Sequence, residues 1–598
     1  MKKHSILFLV LLLPSLIFSQ KNYSNPAISS KDIYDHLKYL ASDKLEGRYS
    51  GSNGEKLAYE YIVDQFKSYG LKPAFKEGFL QTFSFIEKVE LTKDNSVSIT
   101  LNKKAKILVL KDDYMVAPFS GSSKIKGALV FAGYGISAPK LKYDDYEGLD
   151  VKGKIVVVMR NHPEYDKSNS GLEMFASFRQ KASVAKEKGA IGIILVNGFF
   201  PQNDQDKLIE FNYDQSPLLK DFSALQVKRS FVEELFKAEN LNFSDIQLNI
   251  SKNKKPDSFE FKNASAEIET GVVEKTGTGH NAAAILEGND PLLKNEYIVF
   301  GAHYDHLGWG QTGSLYRGAD NAIHNGADDY ASGTAGVLEI AEKFASLRNN
   351  KRSIIFIAFS GEELGILGST AFVNNPPFPL DKISSMINMD MIGRLNNDNV
   401  LNVIGTGTAQ EFKSILNKRN KYGFSLSMTD DGMGGSDHQA FTNKKIPVLA
   451  FFTAMHQEYH KPTDKIELIN SPGEEKVLSY IFDISTSLDS IGNKIQFVQV
   501  QTKAAARPSG GSKVYVGTVP EFGYKGTGFK LSGVSDNSPA QKAGLKAGDI
   551  MIKFGKKDVK DIYDYMYSMN EFNPGDVVDV TVLRDGKELT VKIKLEAK

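Results

Sequence analysis

Short apolar runs alternate with helical patterns between residues 281 and 491. Residues 354–359 are apolar at every position, which is typical of a strand covered by helices on both faces. Helical spacing over 333–347 supports this alternation. We therefore predict an α/β fold with a mostly parallel twisted sheet and helices on both faces. The predicted strands are 282–286, 297–302, 353–359, 383–388, 400–404 and 447–452.

The rest of the chain differs in texture from this central region. Helical patterns at 30–41 and 54–69 need a core from elsewhere in the chain. Glycine-bounded strands and one helix predict a separate α/β module over 117–250, with no cluster of ligand-type residues. Small and polar residues predict a linker at 501–512, followed by a β-rich module at 513–598. A chain of 598 residues has room for about three or four domains.

The N-terminus is typical of a secretory signal peptide, predicted at 1–19. A charged start precedes an apolar run over 6–18, and Ser19 provides a small residue at the cut. The run is short for a bilayer span and contains Pro14. No other stretch is long and apolar enough, so no membrane span is expected in the mature chain. The chain lacks cysteine, and export without disulfides favours a bacterial periplasm or exterior.

Charge excludes one class of partner. The chain has 73 basic and 72 acidic residues, for a formal net charge of +1. Without a basic excess to neutralise phosphates, nucleic acid is not expected as a partner.

Metal-type ligands recur where apolar runs give way to loops. In open α/β sheets, sites collect beyond the carboxyl ends of the strands. Two imidazoles and three carboxylates suit a pair of divalent ions that share one bridging ligand. Nitrogen and oxygen donors without thiolate favour zinc. The candidate ligands are His303, Asp329, Glu363, Asp390 and His460.

Neighbouring carboxylates add candidate roles. Asp305, two residues after the first histidine, is placed to accept that ring's N–H. One of Asp328 and Asp329 should bridge two ions and the other cap a helix, and spacing alone does not decide which. Glu362 and Glu363 follow a buried strand, where two uncompensated carboxylates would be costly. This cost is removed if one of the two binds a metal ion and the other acts as a general base.

In order along the chain, these residues resemble the motifs of the co-catalytic dizinc exopeptidases. That family includes bacterial secreted aminopeptidases, aminopeptidase Y and glutamate carboxypeptidase II. Residues 40–48 resemble the N-terminal signature of this family. The other matching motifs are His303-x-Asp305, Asp329-x-x-Ser332-Gly333, Glu362-Glu363, Asp390 and His460.

The resemblance implies two zinc ions per chain. It makes Asp329 the bridging ligand and leaves Asp328 outside the ligand set. His303 and Asp390 would complete one zinc site, and Glu363 and His460 would complete the other. It also implies catalytic roles for two more carboxylates. Glu362 would be the general base, and Asp305 would be the partner of His303.

Two other segments resemble known domains. Residues 117–250 resemble a protease-associated domain, inserted between peptidase segments 20–116 and 251–500. Residues 513–598 resemble a PDZ domain, with a carboxylate-binding loop at 526–529. The resemblance implies peptide substrates, and a peptide C-terminus as the ligand of the PDZ domain.

One departure concerns the loop 432–438, which has no tyrosine where some relatives place an aromatic hydroxyl that stabilises the tetrahedral intermediate. Such help must then come from the metals or another segment. His438 in this loop either lines the substrate cleft or is structural.

The resemblance thus implies an exported dizinc aminopeptidase that removes N-terminal residues through a metal-bridging water activated by Glu362. A carboxypeptidase or dipeptidase of the same superfamily stays open. A zinc-free binding protein and a glutaminyl cyclase are also possible on this fold. The complete ligand set and base weigh against both.

Overall fold

The computed structural model describes residues 27–598 except 168–169, 202–205, 214–216, 317, 319, 501–513, 521–526, 535–537, 547, 560–564, 566–567, 570–571 and 598. The predicted signal peptide and linker, and Gly526 of the predicted carboxylate-binding loop, lie outside the described residues.

A nine-stranded sheet forms the centre of the first domain. Its middle strands are parallel, and antiparallel pairs join them to the flanks, so the sheet is mixed. The parallel centre is the part that the apolar runs predict. In spatial order the strands are Lys72–Pro73, Val272–Leu286, Ser353–Phe359, Tyr297–His303, Ile383–Met389, Val448–Phe452, Val400–Ile404 and Ser425–Thr429, and Leu80–Leu91 also pairs with Val272–Leu286.

Helices cover both faces of this sheet, as predicted. Adjacent strand residues separate to the two sides, so that Phe300 packs in the larger core and Val299 in the smaller one. The α-helices on the larger side are Ser30–Leu40, Asn53–Ser68, Gly333–Leu347, Phe412–Arg419 and Ser471–Asp489. The helices on the smaller side are Leu367–Asn374 and His438–Asn443.

A second sheet of eight strands carries its own helices and is wider than the predicted module at 117–250. The hairpin of Ser96–Leu101 and Lys104–Leu108 joins it through Phe259–Thr270. Sequence reading missed these strands because their exposed, lysine-rich faces lack the apolar runs of a buried strand. The remaining strands are Tyr114–Val116, Ser123–Phe131, Ile155–Met159, Gly192–Val196 and Ser223–Val227, and the helices are Phe178–Glu187, Arg229–Ala238 and Phe243–Asn253.

The C-terminal module is β-rich, as predicted, and encloses a separate apolar core. Arg584 closes it with a two-point ion pair to Asp549, at 2.7 Å for both contacts. It contains the helix Pro539–Lys542, and its described strands are Val514–Tyr515, Thr518–Pro520, Phe529–Val534, Ile550–Phe554, Lys557–Asp558, Val577–Arg584, Lys587–Lys594 and Glu596–Ala597. Among all described residues, no helix is both long and apolar enough to cross a bilayer.

Candidate metal centre

The carboxyl ends of three parallel strands deliver most of the predicted ligands to one edge of the sheet. His303 is the last residue of its strand. Glu362 and Glu363 follow the neighbouring strand Ser353–Phe359, and Asp390 directly follows Ile383–Met389. Parallel neighbours end at the same edge, which explains how distant residues converge.

Asp329, Glu363 and His460 meet in one buried group. The Nε2 atom of His460 lies 3.4 Å from Asp329 Oδ2 and 3.3 Å from Glu363 Oε2. The other ring nitrogen, Nδ1, faces the carbonyl oxygen of Gly313 at 2.8 Å, which sets the ring orientation. A single nitrogen thus points between two carboxylates.

His303 and Glu362 form the adjoining part of the centre. His303 Nε2 lies 3.5 Å from Glu362 Oε2. Burial raises the pKa of the nearby Asp390 to about 6, although His303 and a hydrogen bond from Ser436 act to lower it. The structure therefore brings together residues from both predicted zinc sites.

Asp305 links this part of the centre to its surroundings. His303 Nδ1 lies 3.1 Å from the backbone oxygen of Asp305 and 3.3 Å from its Oδ1 atom. The same Oδ1 accepts the backbone N–H of Glu362 at 3.2 Å, and Oδ2 accepts the hydroxyl of Ser50 at 3.0 Å. Asp305 is thus placed to position both His303 and the backbone of Glu362.

His306 is a neighbour of the centre that the sequence did not predict. Its Nδ1 atom lies 2.7 Å from Glu363 Oε1. One donor atom each from His306, Asp329 and Glu363 lie within 4.8 Å of one another, a spacing suited to a metal ion. A histidine three residues after His303 was the available signal, but such spacing is common in structural histidines.

The loop that carries Asp329 is held by a second buried aspartate. Asp464 Oδ2 accepts the backbone N–H groups of Asp328 at 2.9 Å and Asp329 at 3.0 Å. Its other oxygen pairs with Arg394 at 2.8 Å. Asp328 turns away, and its Oδ1 accepts the N–H of Gly393 at 2.7 Å. This placement supports a structural role for Asp328.

Arg48, in the predicted N-terminal signature, anchors the loops beneath the centre. Its fully buried guanidinium donates to the backbone oxygens of Tyr304 at 2.6 Å, Asn325 at 2.8 Å and Gly326 at 3.1 Å, and also to that of Leu40. Burial lowers its pKa to about 10, so it stays charged at neutral pH. The planar guanidinium presents several donors in a fixed arrangement, which a lysine side chain cannot do.

The centre holds more buried negative charge than its side chains neutralise. Burial, and then the neighbouring carboxylates, raise the pKa values of Asp329 and Glu362 well above the usual range. Burial would also raise the pKa of Glu363, but hydrogen bonds from His306 and His460 lower it. Both Asp329 oxygens and the Nε2 atom of His303 are buried without a hydrogen-bond partner. Orphaned ligand atoms and excess negative charge fit divalent cations.

A pocket of about 220 Å³ opens beside Asp390. Burial lowers the pKa of His438, which lines it, to about 4, so the ring is neutral. Among the described residues its lining includes no lysine or arginine. Besides these two residues the lining is Tyr330, Met391, Ile404, Gly434, Gly435, Ser436, Ala450, Phe451, Phe452, Met455 and Tyr459.

Tyr459 supplies an aromatic hydroxyl that the loop 432–438 lacks. Its ring stacks on His460 with centroids 3.9 Å apart. Burial, and then the carboxylates of Asp329 and Glu363, raise its pKa well above 10, so the hydroxyl remains a donor. Tyr459 is therefore a candidate for the residue from another segment that stabilises the tetrahedral intermediate.

Comparison with known proteins agrees with this geometry. A model of peptidase family M28 matches residues 281–485, which carry all five predicted ligands. Residues 281–485 are a peptidase M28 domain. A PA domain model matches residues 125–235, and a PDZ domain model matches 496–595. The predicted dizinc exopeptidase resemblance, with its two accessory domains, is confirmed.

Individual relatives of this M28 peptidase cover different shares of it. Leupeptin-inactivating enzyme 1 of Streptomyces exfoliatus is 35% identical over 179 residues, 29% of this chain and 36% of that protein. The probable leucine aminopeptidase 2 of Trichophyton verrucosum is 24% identical over 486 residues, 78% of this chain and 80% of that protein. The structure of a zinc aminopeptidase from Bacillus subtilis is 20% identical, covers 80% of this chain and 98% of its own, and has a TM-score of 0.43.

Proposed function

We propose that this M28 peptidase is an exported aminopeptidase that uses two zinc ions. The observation that carries the proposal is the convergence of buried, unpartnered ligand atoms of Asp329 and His303 at one edge of the sheet. Asp329 would be shared by both ions, with His303 and Asp390 on one and Glu363 and His460 on the other. Bound zinc polarises a scissile carbonyl and acidifies the attacking water.

Glu362 is the proposed general base. Its Oε2 atom lies 3.5 Å from the ligand atom of His303, and Asp305 holds its backbone N–H. A carboxylate there can take a proton from the attacking water at Oε2 and deliver it to the nitrogen of the leaving amine. The neighbouring carboxylate, Glu363, is held in place by its hydrogen bond with His306.

The charge of the site favours a free amine over a free carboxylate as the recognised terminus. The carboxylate of Asp390 lines the 220 Å³ pocket, that of Glu362 lies near Tyr330 in its lining, and within the described residues no lysine or arginine lines it. An N-terminal ammonium is attracted to such a site, whereas a C-terminal carboxylate needs a cation to bind. The pocket has room for one side chain, and its lining favours an apolar one.

The test is a panel of aminoacyl-arylamides and the same compounds with acetylated N-termini. We expect hydrolysis of the free-amine substrates alone, fastest with leucine or methionine. A zinc chelator should abolish activity and added zinc should restore it. Cleavage of only the acetylated compounds would overturn the assignment, and chelator-resistant cleavage would overturn the metal requirement.

Tyr459 is proposed to donate to the oxyanion that forms on the scissile carbonyl. Tyr459→Phe removes only this hydroxyl and should lower kcat about 10²-fold, with little change in KM, because the bond forms only in the transition state. Steady-state kinetics measures the split. The control is Tyr422→Phe, whose hydroxyl bonds Asp483 away from the site and whose kcat should be unchanged. An equal kcat in Tyr459→Phe and wild type would remove Tyr459 from the mechanism.

A peptide C-terminus remains the proposed ligand of the PDZ domain, where a bound strand would be held by backbone amides. Export remains a proposal that rests on the sequence of residues 1–19.

A further inference from the structure

A second, larger cleft adjoins the metal centre, and its lining shares no residue with that of the 220 Å³ pocket. Its volume is about 870 Å³. Ser50, which bonds Asp305, and Leu364, which follows Glu363, belong to its wall. The cleft is therefore continuous with the residues that form the proposed catalytic centre.

One side of this cleft is the edge of a β-strand. Residues 84–89 of the strand Leu80–Leu91 line it. The strand pairs with Val272–Leu286 along one edge, and the other edge has no strand partner within the described part of the chain. An edge of this kind presents backbone donors and acceptors to an extended chain. Six residues at about 3.3 Å each extend for about 20 Å, enough for several residues of a bound peptide.

The same strand is packed against the loop of the proposed base. Gly361 has a φ of +72° just before Glu362, and a Cβ atom added there would lie 3.4 Å from Phe83 Cζ. The ladder with Val272–Leu286 shifts register where Glu87 is passed over. Bulges of this kind bend a strand and re-aim its side chains. The strand edge is thus tied to the catalytic loop rather than to a remote surface.

The inserted PA domain provides another part of the wall. Phe211, Asn212 and Tyr213 line the cleft together with residues 84–89, and Phe211 is also packed on the core of the insert. Two aromatic rings in a cleft that also contains an open strand edge offer apolar contact to alternate side chains of an extended peptide.

We propose that this cleft binds the part of a peptide substrate that lies downstream of the scissile bond, as a strand added to residues 84–89 beneath Phe211 and Tyr213. The small pocket is proposed to accept the N-terminal side chain, and the larger cleft, whose wall includes Leu364 next to Glu363, would take the rest of the chain. The substrate class is therefore oligopeptides rather than dipeptides. This inference rests on the proposed aminopeptidase activity.

The test compares kcat/KM for peptides of two to six residues that share an N-terminal leucine. For the wild-type protein we expect kcat/KM to rise about 10-fold or more from the dipeptide to the hexapeptide. In the double variant Phe211→Ala/Tyr213→Ala this ratio should fall to about one. Leu241→Ala, an exposed residue elsewhere on the insert, is the matched control and should keep the wild-type ratio. A flat wild-type series, or an unchanged ratio in the double variant, overturns the proposal.

A surface variant guards against misfolding of the double variant. Glu87 is exposed in the cleft. We compare kcat/KM for pentapeptides that carry either lysine or aspartate downstream of the scissile bond. Glu87→Lys should shift the ratio of these two values by about 10-fold in favour of aspartate. The same preference in both proteins would contradict the strand-edge site. If free-amine arylamides and peptides are all resistant in the wild-type protein, the aminopeptidase proposal fails instead, so the two failures are distinguishable.

Discussion

Glu362→Gln is expected to lower kcat by about 10²- to 10⁴-fold while both zinc ions remain bound. The glutamine has the same size and can still accept a hydrogen bond, but it cannot take a proton from the attacking water and carry it to the leaving amine. Because its Oε2 faces His303 from outside the proposed ligand set, the charge change should leave metal content intact. Elemental analysis and steady-state kinetics on the same preparation measure both quantities.

The neighbouring residue gives the matched control. Glu363→Gln makes the same chemical change one position along the chain, but at a proposed ligand whose oxygens face His306 and His460. We expect this variant to lose zinc, and its activity to return in part when zinc is added in excess. Near wild-type turnover in fully loaded Glu362→Gln would disprove the assignment of the base.

Asp329→Asn is expected to lose zinc from both sites. Asp329 would be shared by both ions, and an uncharged amide holds two cations less strongly than a carboxylate does. If bound zinc supplies about 4 kcal/mol to the transition state, its loss corresponds to a fall of about 10³-fold in kcat/KM. Zinc content per chain, measured by elemental analysis after dialysis, is the direct readout.

Asp328→Asn separates this effect from a general disturbance of the loop. Asparagine at that position can still accept the N–H of Gly393, which Asp328 Oδ1 now accepts at 2.7 Å. Two zinc ions should therefore remain in this variant. Full zinc in Asp329→Asn, or loss of zinc only in Asp328→Asn, would exchange the roles of the two aspartates.

The strand-end positions of the proposed ligands could be predicted because their signals are local. An apolar run indicates a buried parallel strand. In open sheets, sites lie at the carboxyl ends of such strands. Glu362-Glu363 shortly follows a strand of this kind. Each step needs only a few consecutive residues. The α/β fold of the central domain, with helices on both faces, follows from the same reasoning.

The supporting residues could not be predicted because their partners are backbone groups far along the chain. Arg48 bonds the carbonyl oxygen of Tyr304, 256 residues away, and Asp464 holds the N–H of Asp329, 135 residues away. No pattern around Arg48 or Asp464 reports which carbonyl or amide it will meet. The resemblance marked residues 40–48 as a signature without giving Arg48 its contacts. Tyr459 was overlooked for a related reason, since its position relative to the centre depends on the loop that ends at His460.

The anchoring by Arg48 and Asp464 has a consequence for biosynthesis. The loops of the centre are held by the guanidinium of Arg48 and the carboxylate of Asp464, with the whole PA insert between them. A growing chain that does not yet extend past residue 464 lacks one of the two supports, and the proposed metal site would be incomplete in it, since metal binding and folding are coupled. The proposed site would therefore be able to hold zinc only once both segments of the chain are in place.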